Sequence, residues 1–187
     1  DSLGNKIEEG YRVTMCAATP CGQCYFCKFE AHRSNLCEQG PVYGITLSCA
    51  DPPHLFGAYS EYLYVLPRSW IYKAPEDMKP EVLALVDPLS VGVRGLERAY
   101  QPGIPYAWDG FGLGKTVVIQ GLGPIGILTA AAAKTAGARR VIGIEGIDLR
   151  IELAQKFGVD QIIDLKTFTK PKERIAEVRR LTGGLGA

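Results

Sequence analysis

Four cysteines near the start of the chain are the first residues whose type and spacing predict chemistry. Three follow one another at three-residue steps and the fourth comes ten residues later: Cys21, Cys24, Cys27 and Cys37. Short Cys-x2-Cys steps let one turn present successive sulfurs to one point, and four thiolates complete a tetrahedral zinc site. The spacing therefore predicts a structural zinc site without an open coordination position. A disulfide framework, typical of secreted chains, is the alternative interpretation.

A glycine-rich turn in the second half of the chain predicts a dinucleotide-binding unit. The β-branched run Thr116–Gln120 leads into the pattern Gly121-Leu122-Gly123-Pro124-Ile125-Gly126. A helix is expected over residues 127–136 and a second strand over residues 140–144, followed by Glu145. Strand, glycine turn, helix, strand and acid occur in this order in dinucleotide-binding folds. A tight strand-to-helix turn in another parallel α/β domain is the alternative.

Each part of this unit has an expected role. Gly121 permits the sharp turn, Gly123 lets the backbone approach a pyrophosphate, and Gly126 lets the helix pack closely. The first amides of the helix would then face the phosphates. Glu145 lies where a carboxylate would bind the adenosine ribose hydroxyls, and it favours NAD over NADP because it would repel a ribose phosphate. Arg150 is expected to bond the ribose or to meet a phosphate.

With both motifs in place, the chain resembles the medium-chain, zinc-containing alcohol dehydrogenases over nearly its whole length. Residues 9–13 are similar to the family's Gly-Asp-Arg-Val turn, with Tyr11 where the family usually has Asp. Residues 57–62 resemble the strand that follows the zinc lobe, and residues 87–92 resemble the segment that enters the cofactor domain. Residues 87–92 also favour the polyol and threonine dehydrogenase branches.

The resemblance implies hydride transfer from a primary or secondary alcohol, polyols among them, to NAD, with a second, catalytic zinc. Asp87 stands at the position of the third ligand of that zinc, which is Cys or Glu in other members; an Asp that caps a helix start is the alternative. Ile125 would lie behind the nicotinamide. The implied cofactor-binding residues are Gly121, Gly123, Pro124, Ile125, Gly126, Glu145 and Arg150.

The expected fold class is α/β, in two parts. Residues 1–88 are predicted to form part of a β-rich, GroES-like catalytic domain with the zinc lobe, including a strand over residues 62–66. Residues 89–187 are predicted to form part of a Rossmann-type, doubly wound parallel sheet that binds NAD. A helix is expected over residues 80–100 and a loop over residues 101–114. A third strand at 161–163 and a helix over Pro171–Leu181 would follow, and Gly183 would end that helix in a left-handed conformation.

The family's upstream Cys and Gly-His-Glu residues, which hold the catalytic zinc, do not occur in this sequence. The chain is therefore expected to be an internal fragment, truncated at both ends and inactive alone. Its formal net charge of +1 gives no basic face for nucleic acid. No apolar run approaches the roughly 20 residues that span a bilayer, and no signal peptide is visible.

These features predict a cytoplasmic enzyme that acts on a small alcohol, without nucleic acid or membrane partners, and that forms a homo-oligomer when complete. Two other function classes stay open. A zinc-free quinone or enoyl reductase of the same superfamily is one, and the cysteine lobe and Asp87 count against it. A non-enzymatic module that binds NAD or carries a structural zinc is the other, and the missing catalytic ligands support it.

Overall fold

The chain folds as two units, Asp1–Leu83 and Ala84–Ala187. The computed structural model describes residues 1–100 and 110–187, apart from the side chains at positions 32 and 34. The sequence predicted a boundary at residue 88, but the second unit begins earlier because the residues from Val86 onward form one helix that packs within it. Residues 101–109, part of the predicted loop, lie outside the described residues.

The first unit contains a small antiparallel sheet and short helices. Strand β1 (Val13–Met15) pairs with strand β2 (Ile71–Lys73). Helix α1 (Tyr25–Phe29) and a 3-10 helix (Ala31–Leu36) fill the cysteine-rich segment between the strands. Helix α2 (Pro80–Leu83) ends the unit.

The strand predicted over residues 62–66 is not formed. The amide of Tyr64 donates to the carbonyl of Leu55 over 2.8 Å, but the amide of Leu66 donates to the hydroxyl of Tyr43, also over 2.8 Å. Because one of these acceptors is a side chain, the two bonds do not build a ladder between strands. Tyr64 of this segment instead packs in a cluster of aromatic rings, in which Phe56 contacts both Tyr43 and Tyr64.

The second unit is a three-stranded parallel sheet with helices on both faces. The strands are β3 (Thr116–Gln120), β4 (Arg140–Glu145) and β5 (Gln161–Asp164), in the order β3-β4-β5. Thr116 pairs with Arg140, and Ile142 pairs with Gln161. The helices are α3 (Val86–Ala99), α4 (Pro124–Thr135), α5 (Asp148–Lys156) and α6 (Pro171–Leu181). The single helix predicted over residues 80–100 is thus divided into α2 and α3.

Strand β4 is the centre of this unit, and its residues from Val141 to Glu145 are buried. Side chains alternate across a strand, so successive residues enter different cores. Val141 packs in a cluster with Ala130 and Ala133 of α4, whereas Ile142 packs with Ile163 against α6. Burial of a side chain of this size contributes on the order of 1.5–3 kcal/mol, so both faces of β4 stabilise the sheet.

The glycine turn between β3 and α4 requires two of its glycines for different reasons. Gly121 has a φ of 86°, a left-handed conformation that side chains disfavour. A methyl group at Gly126 would overlap the carbonyl oxygen of Gly121, so the start of α4 lies directly on the turn. The close packing predicted for Gly126 is therefore present, and its partner is the turn itself.

Helix α6 ends as the sequence predicted. Gly183 has a φ of 64°, and the amide of Gly184 donates to the carbonyl of Arg179 over 2.7 Å. This pattern is a left-handed helix termination. No helix in the described part of the chain is long and apolar enough to cross a membrane.

We expect the substitution Gly126→Ala to lower the free energy of unfolding by about 1–3 kcal/mol, because the added methyl group forces the backbone of the turn to move. Gly95→Ala is the matched control, since its methyl group would meet no atom within 4 Å. An alanine in an open helix interior stabilises by about 0.5–1 kcal/mol. Urea unfolding of the three chains measures both effects, and equal stability of the two variants would contradict this account of the turn.

Candidate functional site

The four predicted cysteines meet in space. Their Sγ atoms all lie within 4.8 Å of one another, with Cys21 and Cys27 at 3.9 Å and Cys24 and Cys37 at 3.8 Å. A zinc–sulfur bond of about 2.3 Å places the sulfurs of a tetrahedral site about 3.8 Å apart. The distances therefore fit a zinc ion at the centre of the cluster.

Backbone amides point at the sulfurs. The amides of Gln23 and Cys24 both donate to the sulfur of Cys21 over 3.3 Å, and they lower the pKa of this thiol to about 6. The amide of Cys27 lowers the pKa of Cys24. At Cys27 the Gly22 amide also lowers the pKa, but burial and the neighbouring sulfurs outweigh it and raise the value to about 11. Four thiolates this close repel one another, so their joint ionisation requires a cation.

Residues outside the cysteine motif pack beside the cluster. Thr19 is only 3% exposed, and its hydroxyl lies 3.1 Å from the hydroxyl of Ser69. A methyl group at Gly40 would lie 2.5 Å from the Thr19 carbonyl oxygen and 3.0 Å from the Cys37 sulfur. No sequence motif marks Thr19, Gly40 or Ser69, and Ser69 is distant from the cysteines in sequence, so none of them was predicted.

Arg68 is a second residue that the sequence analysis missed. Its backbone is left-handed, with a φ of 70°, which is uncommon for a residue with a side chain. Its side chain lies against Gly22, where an added methyl group would come within 3.0 Å of Nε. Gly22 in turn donates its amide to the sulfur of Cys27, so Arg68 packs against a residue that binds the cluster.

The start of α4 has the features of an anion site. Gly123 is the N-cap residue, and no side chain caps the helix. Among the described residues, no side chain accepts the amides of the first turn, and the helix dipole favours negative charge at this end. The carbonyl of Ile144 accepts the amide of Gly121 over 2.9 Å, which brings the glycine turn to the carboxyl end of β4.

Glu145 lies at that end of β4 and is only 6% exposed. One carboxylate oxygen accepts the amide of Leu122 over 2.9 Å, and the other accepts the amides of Gly146 and Ile147 over 2.8 and 3.2 Å. A guanidinium nitrogen of Arg150 lies 3.5 Å from Oε2 of Glu145. Burial raises the pKa of Glu145, but these amides and the arginine outweigh it and hold the pKa below its ordinary value. The carboxylate is therefore charged at neutral pH.

The remaining predicted residues are more exposed. Ile125, in the first turn of α4, is 47% exposed. Asp87 lies exposed in the first turn of α3, where Leu85 rather than Asp87 occupies the cap position. The alternative that Asp87 caps the helix is therefore wrong, although its charge lies at the favourable end of the helix. Among the described residues, Asp87 belongs to no cluster of metal-ligating side chains.

One groove of the second unit does not contain the predicted coenzyme site. Its volume is about 870 Å³, and it runs beside β3 near Thr116 and Val118, with Arg140 and Leu181 among its other walls. Strand β3 has no sheet partner on this side within the described residues. The groove therefore marks the free edge of the sheet rather than the glycine turn.

Comparison with known proteins agrees with the geometry. A family model described as zinc-binding dehydrogenase matches residues 124–187. The sorbitol dehydrogenase of Bacillus subtilis is 29% identical over 99% of this chain and 46% of its own length. The L-threonine 3-dehydrogenase of Idiomarina loihiensis is 33% identical over 92% of this chain and 42% of its own. A solved alcohol dehydrogenase of Thermotoga maritima is similar with a TM-score of 0.80 and 32% identity, over 97% of this chain and 47% of its own.

The chain spans less than half the length of each of these three proteins. The similarity nevertheless extends over nearly all of the chain and includes both the cysteine cluster and the glycine turn. The chain is therefore similar over nearly all its length to zinc-containing alcohol dehydrogenases, and its residues 124–187 match the zinc-binding dehydrogenase family model.

Proposed function

We propose that the complete protein is a zinc-dependent oxidoreductase that transfers hydride from a primary or secondary alcohol to NAD. The observation that carries this proposal is the joint position of Glu145 and the uncapped start of α4 at the carboxyl end of the sheet. Dinucleotides bind at this end of parallel α/β sheets, with the pyrophosphate at a helix N-terminus and the ribose on an acid. The similarity to a sorbitol dehydrogenase supports a polyol as the alcohol.

The proposed coenzyme site divides its tasks among few residues. The amides of the α4 first turn would bind the pyrophosphate, and Glu145 and Arg150 would bind the adenosine ribose. Ile125 offers an exposed apolar side chain against which the nicotinamide ring would lie. Acceptance of hydride from the alcohol carbon is the chemistry that the nicotinamide supplies when it is bound. The residues proposed to hold the coenzyme are Gly121, Gly123, Pro124, Ile125, Gly126, Glu145 and Arg150.

The coenzyme is proposed to be NAD rather than NADP. The carboxylate of Glu145 is charged and nearly buried, so a phosphate on the adjacent ribose hydroxyl would meet a like charge. Arg150 is a cation close enough to offset this repulsion, but its guanidinium already lies 3.5 Å from Glu145. The net effect therefore favours the unphosphorylated ribose.

Two zinc sites with different tasks are part of the proposal. Cys21, Cys24, Cys27 and Cys37 would hold a structural zinc, since four sulfurs leave no position for substrate. Asp87 is proposed as one ligand of a catalytic zinc, and the chemistry that this metal would supply is a lower pKa of the substrate alcohol. The described residues bring no second ligand to Asp87, so this assignment rests on its position in the sequence.

The protein is also proposed to act in the cytoplasm, because its thiols and its nicotinamide chemistry suit a reducing compartment. That the complete protein forms a homo-oligomer is proposed from the family resemblance alone. One alternative function has an observation of its own. A non-enzymatic module that binds NAD or carries a structural zinc would need nothing beyond the two sites described, and Asp87 joins no metal-ligating cluster in the part of the chain that the structure describes. The cysteine cluster argues against the zinc-free quinone or enoyl reductase.

We expect elemental analysis of the purified chain to find one zinc ion. Two of its six thiols, those of the exposed Cys16 and Cys49, should react with a thiol reagent before a chelator is added, and the other four only afterwards. Zinc removal should unfold the cysteine-rich segment, because a site of this kind contributes on the order of 10 kcal/mol to local folding.

Cys24→Ala should abolish zinc binding, whereas the control Cys16→Ala should keep it. Zinc-free chain with oxidised cysteines would favour the disulfide interpretation and contradict the zinc site. A second bound zinc that is lost in Asp87→Ala would assign Asp87 to a metal site.

We expect the chain to bind NADH at least about tenfold more tightly than NADPH, a difference of about 1.4 kcal/mol. Glu145→Gln should weaken NADH binding, because the carboxylate that binds the ribose is lost. It should also reduce the preference for NADH over NADPH, because it removes the charge that repels the ribose phosphate. Titration of coenzyme fluorescence measures both. Glu152→Gln is the matched control, since Glu152 is exposed on α5 and paired with Lys156. Equal affinity for the two coenzymes, unchanged in Glu145→Gln, would refute the specificity assigned to Glu145.

A further inference from the structure

Glu145 makes one contact that ribose binding does not require. Its carboxylate reaches from the end of β4 to the amide of Leu122, inside the glycine turn, over 2.9 Å. Gln120 and Ile144 form the last pair between β3 and β4, so Leu122 and Glu145 both lie beyond the pairing of these two strands, while Glu145 still pairs with Asp164 of β5. The hydrogen bond thus continues the connection between β3 and β4 where the backbone ladder has ended.

Leu122 is fixed to β4 by its side chain as well. Its side chain is completely buried. A methyl group at Gly143 would lie 2.6 Å from Leu122 Cδ1, so the absence of a side chain at Gly143 makes the space that Leu122 fills. The side chain of Leu122 therefore packs against Gly143, and its amide donates to Glu145, two residues further along the same face of β4.

The same carboxylate fixes the opposite turn. Its other oxygen accepts the amides of Gly146 and Ile147, which lead into α5. Hydrogen bonds from amides to a charged acceptor are about twice as strong as those between neutral groups, and the bond from Leu122 is also buried away from water. One side chain thus connects the turn that precedes α4 with the turn that precedes α5.

We propose that Glu145 is a positioning residue that docks the glycine turn onto β4 before any coenzyme binds, so that the phosphate-binding and ribose-binding turns form one preorganised unit. The benefit for affinity rests on the proposed coenzyme function, whereas the docking itself does not. A ligand that binds only the α4 first turn should then depend on Glu145, although it never touches the carboxylate. Preorganisation of this kind increases affinity because less ordering remains to be done on binding.

Amide hydrogen exchange of the full chain, followed by NMR without coenzyme, tests the docking. We expect the Leu122 amide of the wild type to exchange slowly. Glu145→Asp should accelerate its exchange about tenfold or more, because the shorter side chain keeps the charge but loses the reach. The Gly146 and Ile147 amides, adjacent in sequence, should stay protected, and so should the Ile142 amide in β4, which reports on the sheet as a whole. Glu152→Gln should change none of these rates.

A wild-type Leu122 amide that exchanges as fast as an exposed loop amide would overturn the proposal even if every Glu145 variant failed to fold. Unchanged Leu122 exchange in a folded Glu145→Asp variant would overturn it too. Equal acceleration at Leu122 and Ile142 would show general loosening of the sheet and would likewise count against a positioning role.

Inorganic pyrophosphate is the probe for the consequence at the phosphate-binding turn, since it carries no ribose. We expect its affinity, measured from shifts of the Ile125 and Gly126 amides, to fall at least about threefold in Glu145→Asp and to stay constant in Glu152→Gln. Unchanged pyrophosphate affinity with weakened NADH binding would confine Glu145 to the ribose and overturn the proposal. Loss of Leu122 protection in a chain whose wild type does not bind NADH would support the docking and refute the proposed coenzyme function.

Discussion

The left-handed backbone of Gly121 is the constraint on which the rest of the second unit depends. It reverses the chain at the end of β3, so that α4 returns across the sheet and places its alanines against β4. A residue with a side chain would lose about 1–2 kcal/mol in that conformation. The chain would then reverse less readily at this position. The contact between Gly126 and the Gly121 carbonyl then fixes where the helix begins.

The first unit depends on another source of stability. Few of its side chains are buried, with Phe56, Ala74 and Thr19 as examples, and its regular strands are three residues each. A hydrophobic core of this size contributes little, so small units are commonly stabilised by a metal or by disulfides. The four sulfurs supply the site for such a metal, and the Thr19 and Ser69 hydroxyls connect it to the segment before β2.

The chemistry of the second unit is concentrated at the carboxyl end of its parallel strands. Strands that run in the same direction end at the same edge, which brings the glycine turn and Glu145 together although they are distant in sequence. Three amides and Arg150 stabilise the buried carboxylate there. These contacts offset the free-energy cost of removing its charge from water. The groups proposed to recognise the cofactor are therefore the same groups that stabilise the fold at this edge.

The sequence by itself determined the features that depend on local chemistry. The β-branched run of β3, the glycine pattern, the end of α6 at Gly183 and the cysteine spacing each act over a few residues, and local periodicity is visible in a single chain. Only the tertiary structure decided what depends on distant partners. The segment 62–66 forms no strand because its amides bond to other groups, and the units divide at Leu83. Some residues take their roles from contacts with residues far away in sequence: Thr19, Ser69, Arg68 and, through its amide, Leu122. The ligand role of Asp87 stays a prediction, since no group of metal-ligating side chains among the described residues includes it.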